Sequence, residues 1–502
     1  IHAVELTATV AACRLIQRLV DGHASGDERI ARALATRTFY IVPRVNPDGA
    51  EWALADRPRF RRSSTRPWPR ADDRRWPGHD AEDIDGDGRI LQMRLADPDG
   101  HWMPHPDDDR LLVAVPPDGP PAGTARYRLF TEGLIEDFDG FTVPSPRPPE
   151  GLDLNRNYPA GWGRTVTGSG DHPLSEPEID ALVRAIVARP NICGVNALHT
   201  SGGFLLRPSS TQPDSKLPPN DVWAWNELGR RGTELTGYPV HSVYEDFTWD
   251  PSETLSGASD DWAYEHLGVF GWTTEFWDLV HAATGTKSST KVWYTGPTDA
   301  ESLAALRWID EQPTPDDQRH ASWVDWYPFD HPQLGRVELG GWNDLHSWTN
   351  PPPHRLLDEV DRHADFAVAQ ALAAPCLEIA HTVAERLGSD ADGVPFWQVD
   401  VGVANTGWLP TNVSARAAAD GIVLPIEVEL IAGEAASVVD GPSRRHVGQL
   451  AGAMSARFDR GRNGSPERAI VRFTVRAPID SELTIEARHQ RAGRRVVTLT
   501  LR

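Results

Sequence analysis

Between residues 5 and 20, Leu6, Val10, Cys13, Ile16, Leu19 and Val20 recur at three- and four-residue spacings, the pattern of a helix packed along one face. His2 stands just ahead of it. The run 38–45 is apolar and β-branched and closes on Asn46-Pro47-Asp48-Gly49, which predicts a buried strand ending in a turn. Ser175-Glu176-Pro177-Glu178 predicts a capping box opening a helix over 179–188, with proline inside its first turn. Runs 192–198 and 269–276 read as buried strands, the first delivering His199 at its end and the second carrying Glu275. Thr298-Asp299-Ala300-Glu301 caps a helix running towards Gln312, and another is expected over 355–374.

Strands alternating with helices, with polar residues at strand ends, predict an α/β fold whose site lies on one edge of the sheet. That domain is expected to occupy residues 1–375. Residues 67–150 interrupt it with a Pro-, Asp- and Gly-rich stretch of weak periodicity, read as an insertion of loops and short strands. From 376 to 502 the pattern changes to short alternating runs at 397–403, 426–431, 469–475 and 495–501, the signature of an appended all-β sandwich.

The formal charge of −22 sets 50 basic side chains against 72 acidic ones, so nucleic acid is not an expected partner. No apolar run reaches the roughly 20 residues of a membrane-spanning helix. Cys13, Cys193 and Cys376 are few and far apart, and are read as buried free thiols.

Asp83, Asp85 and Asp87, followed by Gly88 and Ile90, copy the first half of an oxygen-rich calcium loop, although the twelfth position is Arg94 where a bidentate Glu belongs. A Ca2+ site is one expectation and a solvated acidic turn the other. A calcium site of that kind favours an extracellular setting, where millimolar calcium suits weak binding. A second candidate is chemical: His2 and Glu5 form a close pair, and His199 could complete the three protein ligands of a catalytic Zn2+ site with one position left open.

His2–Glu5, Asn46-Pro47-Asp48-Gly49, Arg61, Asp153-Leu154-Asn155-Arg156, Ser175-Glu176-Pro177-Glu178, His199-Thr200 and Thr274-Glu275-Phe276 follow one another in the order shown by the zinc carboxypeptidase family. The chain resembles that family over about residues 1–310, apart from the insertion. The resemblance implies a mixed-sheet catalytic domain, one zinc held by His2, Glu5 and His199, and Asp153 orienting the first histidine. It implies Asn155 and Arg156 as the grip on a substrate's terminal carboxylate, Arg61, fifteen residues after Asn46, as the stabiliser of charge on the carbonyl oxygen, and Glu275 as the catalytic carboxylate. Asp261-Trp262 precedes Glu275 with the family's fourteen-residue spacing, which puts Asp260 at the base of the side-chain pocket. A buried carboxylate there implies a preference for C-terminal Lys or Arg.

The implied activity is removal of C-terminal residues from peptides or proteins. Hydrolysis of a non-standard amide, such as a cell-wall or acyl-amino-acid amide, and zinc or peptide binding without turnover are the alternatives. Three departures stand against the family pattern. Position 253, where a mobile Tyr is expected, is Glu253, with Tyr244 the nearest candidate upstream; Val4 replaces a frequent Arg; and almost nothing stands ahead of His2 where the family has its first strands and helix, which implies either a fragment or, if those strands are absent, a sheet with an exposed edge.

Overall fold

The structure is a computed structural model and describes residues 1–68, 77–145, 152–248, 255–290, 295–459 and 464–502. Four strands make the sheet that organises the N-terminal half, in the order Gly194–Thr200, Phe270–Phe276, Phe204–Arg207, Val240–Ser242. The first pair is parallel, the second antiparallel and the third parallel. Every residue of Phe270–Phe276 is buried, as befits a strand covered on both faces. Phe270, Trp272 and Phe276 pack against Trp225, Phe366 and His363 on one side. Gly271, Thr273 and Glu275 alternate to the other. A Cβ at Gly271 would stand 2.5 Å from the Asp260 carbonyl oxygen, so only glycine lets the helix Ser259–Leu267 lie this close to the strand.

The helix Leu6–Ala24 forms as expected but buries a different stripe. Ala8, Ala11, Ala12 and Leu19 face inward, whereas Ile16, Val20 and Cys13 are exposed. Alanines at these positions permit close approach to the helix Leu356–Ala373, which outweighs the greater transfer energy of the larger residues one step round the helix. Cys13 is therefore not a buried thiol, while Cys376 is.

The strand expected over 38–45 is absent. The segment is irregular, bends at Pro43 and Val45 and belongs to no sheet, and Tyr40 and Val42 are about half exposed. It faces the strand Gly194–Thr200, the edge of the sheet among the described residues, across a cavity of about 520 Å³ that reaches His2, Glu5 and His199. Among the described residues no strand pairs with it, and an apolar, β-branched run alone does not make a strand. Asn46 does not close a turn after it; it N-caps the helix Pro47–Ala53, accepting from the Gly49 N–H at 3.0 Å. The helix Pro177–Val187 has proline in its first turn, but the capping box is not made. Glu176 is instead fully buried beneath Arg66, which grips its carboxylate at 2.6 and 3.0 Å.

The insertion is more ordered than its composition suggests. Its strands Gln92–Ala96, Trp102–His105, Asp108–Ala114 and Tyr127–Thr131 join the hairpin Trp323–His331/Gly335–Trp342 in one six-stranded sheet. Beyond Cys376, two four-stranded antiparallel sheets enclose Trp397, Val399, Val401, Val403, Phe473, Val475 and Ile485, the expected sandwich. It grips the first domain by the helix that carries Asp260. Buried Arg491 donates to the Leu267, Gly268 and Asn412 carbonyls, and Ser414 Oγ donates to Gly268 O at 2.7 Å, which satisfies carbonyls left open at that helix's C-terminus.

Candidate active site

His2 lies in the turn before the helix Leu6–Ala24, and Glu5 is the residue at that helix's N-cap. Glu5 makes no side-chain cap bond, which leaves its carboxylate directed at the histidines. His2 Nδ1 is 2.7 Å from Glu5 Oε1 and 3.1 Å from His199 Nδ1, and His199 Nδ1 is 2.9 Å from Glu5 Oε2. All three residues are buried. The other nitrogen of His2, Nε2, donates to Asp153 Oδ1 at 3.0 Å, which places the ring proton there and turns the Nδ1 lone pair inward.

Burial pushes the His199 imidazole down to about 4, so it is neutral and able to act as a ligand. Burial alone would raise the Glu5 carboxyl, but His2 and His199 outweigh it and hold it well below the usual carboxylate range. Two imidazole lone pairs and a carboxylate crowded into one dry spot repel one another unless a cation sits among them. Among the described residues the only other group of this kind is Asp83, Asp85 and Asp87.

Asp153 N-caps the short turn Leu154–Arg156, accepting from the Asn155 N–H at 2.8 Å, and takes the Arg62 Nε–H at 2.7 Å on its other oxygen. Burial works to raise its pKa, yet Arg62, His2 and Arg156 together keep it well below the ordinary value. The Arg62 carbonyl also accepts the Ala3 N–H at 2.9 Å, which ties this segment to the His2 turn. Arg61 takes a different direction: it is buried and donates to Asp80 of the insertion at 3.1 Å. Arg62, whose charge is raised in stability first by Asp153 and also by Glu5 and Glu275, faces the cluster in its place. The chain bends at Arg62 and Ser63, and spacing from Asn46 does not say which of the two arginines faces the site.

Glu275 is the register partner of His199 on the adjacent parallel strand. It is buried, and its Oε2 has no hydrogen-bond partner among the described residues. Burial, then the negative charge of Glu5, push its carboxyl well above the usual range. Asn155 is buried and caps the helix Ser259–Leu267, its Oδ1 accepting the Ser259 N–H at 3.0 Å. Arg156 donates from Nη1 to the neighbouring Asn155 carbonyl at 2.8 Å. Gly257, at φ 78°, presses on the Arg156 backbone so closely that a Cβ would stand 2.4 Å from its carbonyl oxygen.

Asp260 is buried in the first turn of the same helix, and its carboxylate accepts from Thr273 Oγ1 at 3.2 Å, on the sheet face that carries Glu275. Burial raises its pKa. Next to it, Asp261 accepts the Ser210 N–H and is pushed up to about 8, by burial first and then by Asp260. Tyr244 is 41% exposed in the turn Val243–Phe247, and Glu253 lies outside the described residues.

The aspartate loop does not carry the calcium expectation further. Tyr327 donates to Asp85 at 2.5 Å, Arg89 pairs with Asp87, and the Gly86 and Gly88 N–H groups donate to Asp83 at 2.7 and 3.0 Å. The carboxylates are already engaged by protein donors, and the argument for an extracellular setting that rested on calcium lapses with them. No helix among the described residues is long and apolar enough to cross a membrane.

A family model described as zinc carboxypeptidase matches residues 1–88 and 110–286, and one described as a domain of unknown function matches 376–500. Carboxypeptidase A5 of Macaca fascicularis is 31% identical over 126 residues, covering 23% of this chain and 28% of its own. Carboxypeptidase B of Bos taurus is 30% identical over 143 residues, covering 26% and 32% respectively. The matched part thus spans about a third or less of these relatives' length. The solved structure of thrombin activatable fibrinolysis inhibitor matches with a TM-score of 0.32 at 17% identity over 61% of each chain.

Proposed function

Since this chain belongs to the zinc carboxypeptidase family, we propose that it is a zinc-dependent carboxypeptidase that hydrolyses the last peptide bond of peptides or proteins. The observation that carries this reading is the convergence of His2 Nδ1, the Glu5 carboxylate and His199 Nδ1, with Asp153 fixing the first imidazole. Two nitrogens and a carboxylate suit zinc, and three protein ligands leave a position open. When bound, the metal supplies Lewis-acid polarisation and a water acidic enough to react near neutral pH.

The chain's own groups do the rest. Glu275, whose buried carboxyl binds a proton more readily than an ordinary glutamate, takes one from the attacking water and returns it to the leaving amine. Arg62 holds the negative charge that develops on the carbonyl oxygen. Arg156, with a guanidinium suited to bidentate binding, and Asn155 receive the terminal carboxylate of the substrate. Asp260, buried near Thr273 and Glu275, favours a cationic side chain at the C-terminus, because an ion pair offsets the cost of its burial.

The test is hydrolysis of blocked dipeptides ending in Arg, Lys, Leu or Phe, and of their C-terminal amides, with and without a zinc chelator. Chelator-sensitive cleavage of the free acids, with Arg and Lys ahead, is expected. Faster cleavage of Leu or Phe would remove Asp260 from the specificity argument, and absence of all cleavage by a zinc-loaded protein would overturn the carboxypeptidase reading.

A further inference from the structure

A second hollow, about 310 Å³, lies between the C-terminal end of the helix Pro219–Thr236, the helix Leu279–Thr284 with its following turn, and the start of the helix Leu356–Ala373. Its walls carry Lys287, Arg355 and Arg362 against two carboxylates, Asp278 and Glu359. Both carboxylates accept hydrogen bonds from neutral donors and keep their charge, so the three cations exceed them by one. Asp278 accepts the His281 N–H at 2.9 Å, the Ser288 N–H at 2.9 Å and the Ser288 Oγ–H at 2.6 Å. Glu359 accepts from the Tyr238 hydroxyl and the Trp277 N–H.

The cations have no such partners. Among the described residues, no side-chain hydrogen bond or ion pair engages Lys287, Arg355 or Arg362. Lys287 lies over the Tyr238 ring, 4.7 Å from its centre, and Arg362 Nη1 lies beside Gly237. Lys287 is partly buried, and desolvation lowers its pKa against the smaller upward pull of Asp278 and Glu359. His281 adds a buried ring nitrogen, Nδ1, with no partner. On a chain with a net charge of −22, a concavity where three cations converge without an ion pair of their own and outnumber the two carboxylates beside them favours an anionic ligand.

We propose that this hollow binds a small phosphate monoester or phosphate dianion, held by Lys287, Arg355 and Arg362. Two guanidinium forks and an ammonium match the oxygens and double charge of a phosphate better than a single carboxylate. The volume is at the low end of the roughly 300–1,000 Å³ of small-molecule sites, which leaves room for a substituent beyond the phosphate.

Titration calorimetry with inorganic phosphate, glycerol phosphate and acetate, each at matched ionic strength, tests the site on the full chain. Saturable binding of one or both phosphates, with acetate much weaker, is expected; tighter binding of glycerol phosphate identifies an ester and equal binding identifies the free ion. Arg355→Gln and Arg362→Gln change exposed side chains and are expected to weaken binding roughly tenfold each. Arg156→Gln, at the other anion-binding place in the molecule, is expected to leave this binding unchanged. Binding that survives the R355Q/R362Q double variant, binding lost with Arg156→Gln, or no binding above the ionic-strength control would overturn the proposal.

Discussion

Glu275 and His199 stand opposite each other in register on adjacent parallel strands, so both side chains leave the sheet on the same face. The proposed general base and a proposed metal ligand are thereby held by backbone hydrogen bonds rather than by a mobile loop. Glu275→Gln keeps the side chain's shape and removes its proton chemistry. Turnover is expected to fall by about 10²–10⁴-fold, while zinc content, measured by atomic absorption, stays at the wild-type level. Loss of zinc along with activity would instead make Glu275 part of the metal site.

Arg62 and Arg61 offer a sharper comparison, because they are neighbours with opposite surroundings. Arg62 pairs with Asp153 beside the cluster, and Arg61 pairs with Asp80 in the insertion. Arg62→Gln is expected to lower kcat by about 10²-fold or more, the usual cost of losing a donor to a developing oxyanion. Arg61→Gln breaks a buried ion pair, so it is expected to lower thermal stability with kcat nearly unchanged. The reverse outcome would return the role to Arg61.

The proposed site could be read from the sequence wherever a candidate residue sat at the end of a strongly patterned element. His199 and Glu275 close apolar β-branched runs, and His2 and Glu5 sit at the mouth of a periodic helix. Where the outcome depended on tertiary partners, local pattern failed. Residues 38–45 carry the apolar, β-branched composition of a strand but have no strand paired with them, and the Leu6–Ala24 helix turns its alanines inward because its partner helix lies close. The capping motif at Ser175 gave way to a pair between buried Glu176 and part-exposed Arg66 that links residues 110 apart in the chain. Nor does any local signal announce that the hairpin Trp323–His331/Gly335–Trp342 pairs with the insertion, since strand Gly335–Trp342 meets Gln92–Ala96 across a long stretch of sequence.

Arg491 joins the sandwich to the helix that carries Asp260 through donation to the Leu267 and Gly268 carbonyls, and is itself held by donation to the Asn412 carbonyl. Arg491→Ala removes these donors and a buried stem together. The expected cost is about 2–4 kcal/mol, seen as a lowered Tm, and a larger rise in KM than fall in kcat as the helix loosens at its C-terminal end. Unchanged Tm would show that Ser414 alone suffices to cap the helix.

Glu132 gives the molecule a pH dependence that does not involve the active site. Its carboxylate is fully buried and accepts the Ile84 and Leu91 N–H groups at 2.8 and 3.0 Å, clasping the aspartate loop. Burial pushes its pKa up to about 8, against the smaller downward pull of the two N–H groups, with Asp85 and Asp83 adding to the rise. The unfolded chain releases this proton near 4.3 or so, whereas the folded chain holds it until about pH 8. Between those values the folded state binds one more proton than the unfolded state, so stability falls as pH rises. The favourable contribution is complete below the unfolded pKa and is lost by the time pH has passed the folded one, a change of roughly 3–5 kcal/mol at most. Wild-type thermal midpoints are expected to drop between pH 5 and pH 8.5, and Glu132→Gln, which cannot ionise, is expected to flatten that drop even if its midpoint is lower throughout because its amide N–H₂ opposes one backbone donor. A slope equal to that of the wild type would assign the pH dependence to other carboxyls, with Asp261 the next to substitute.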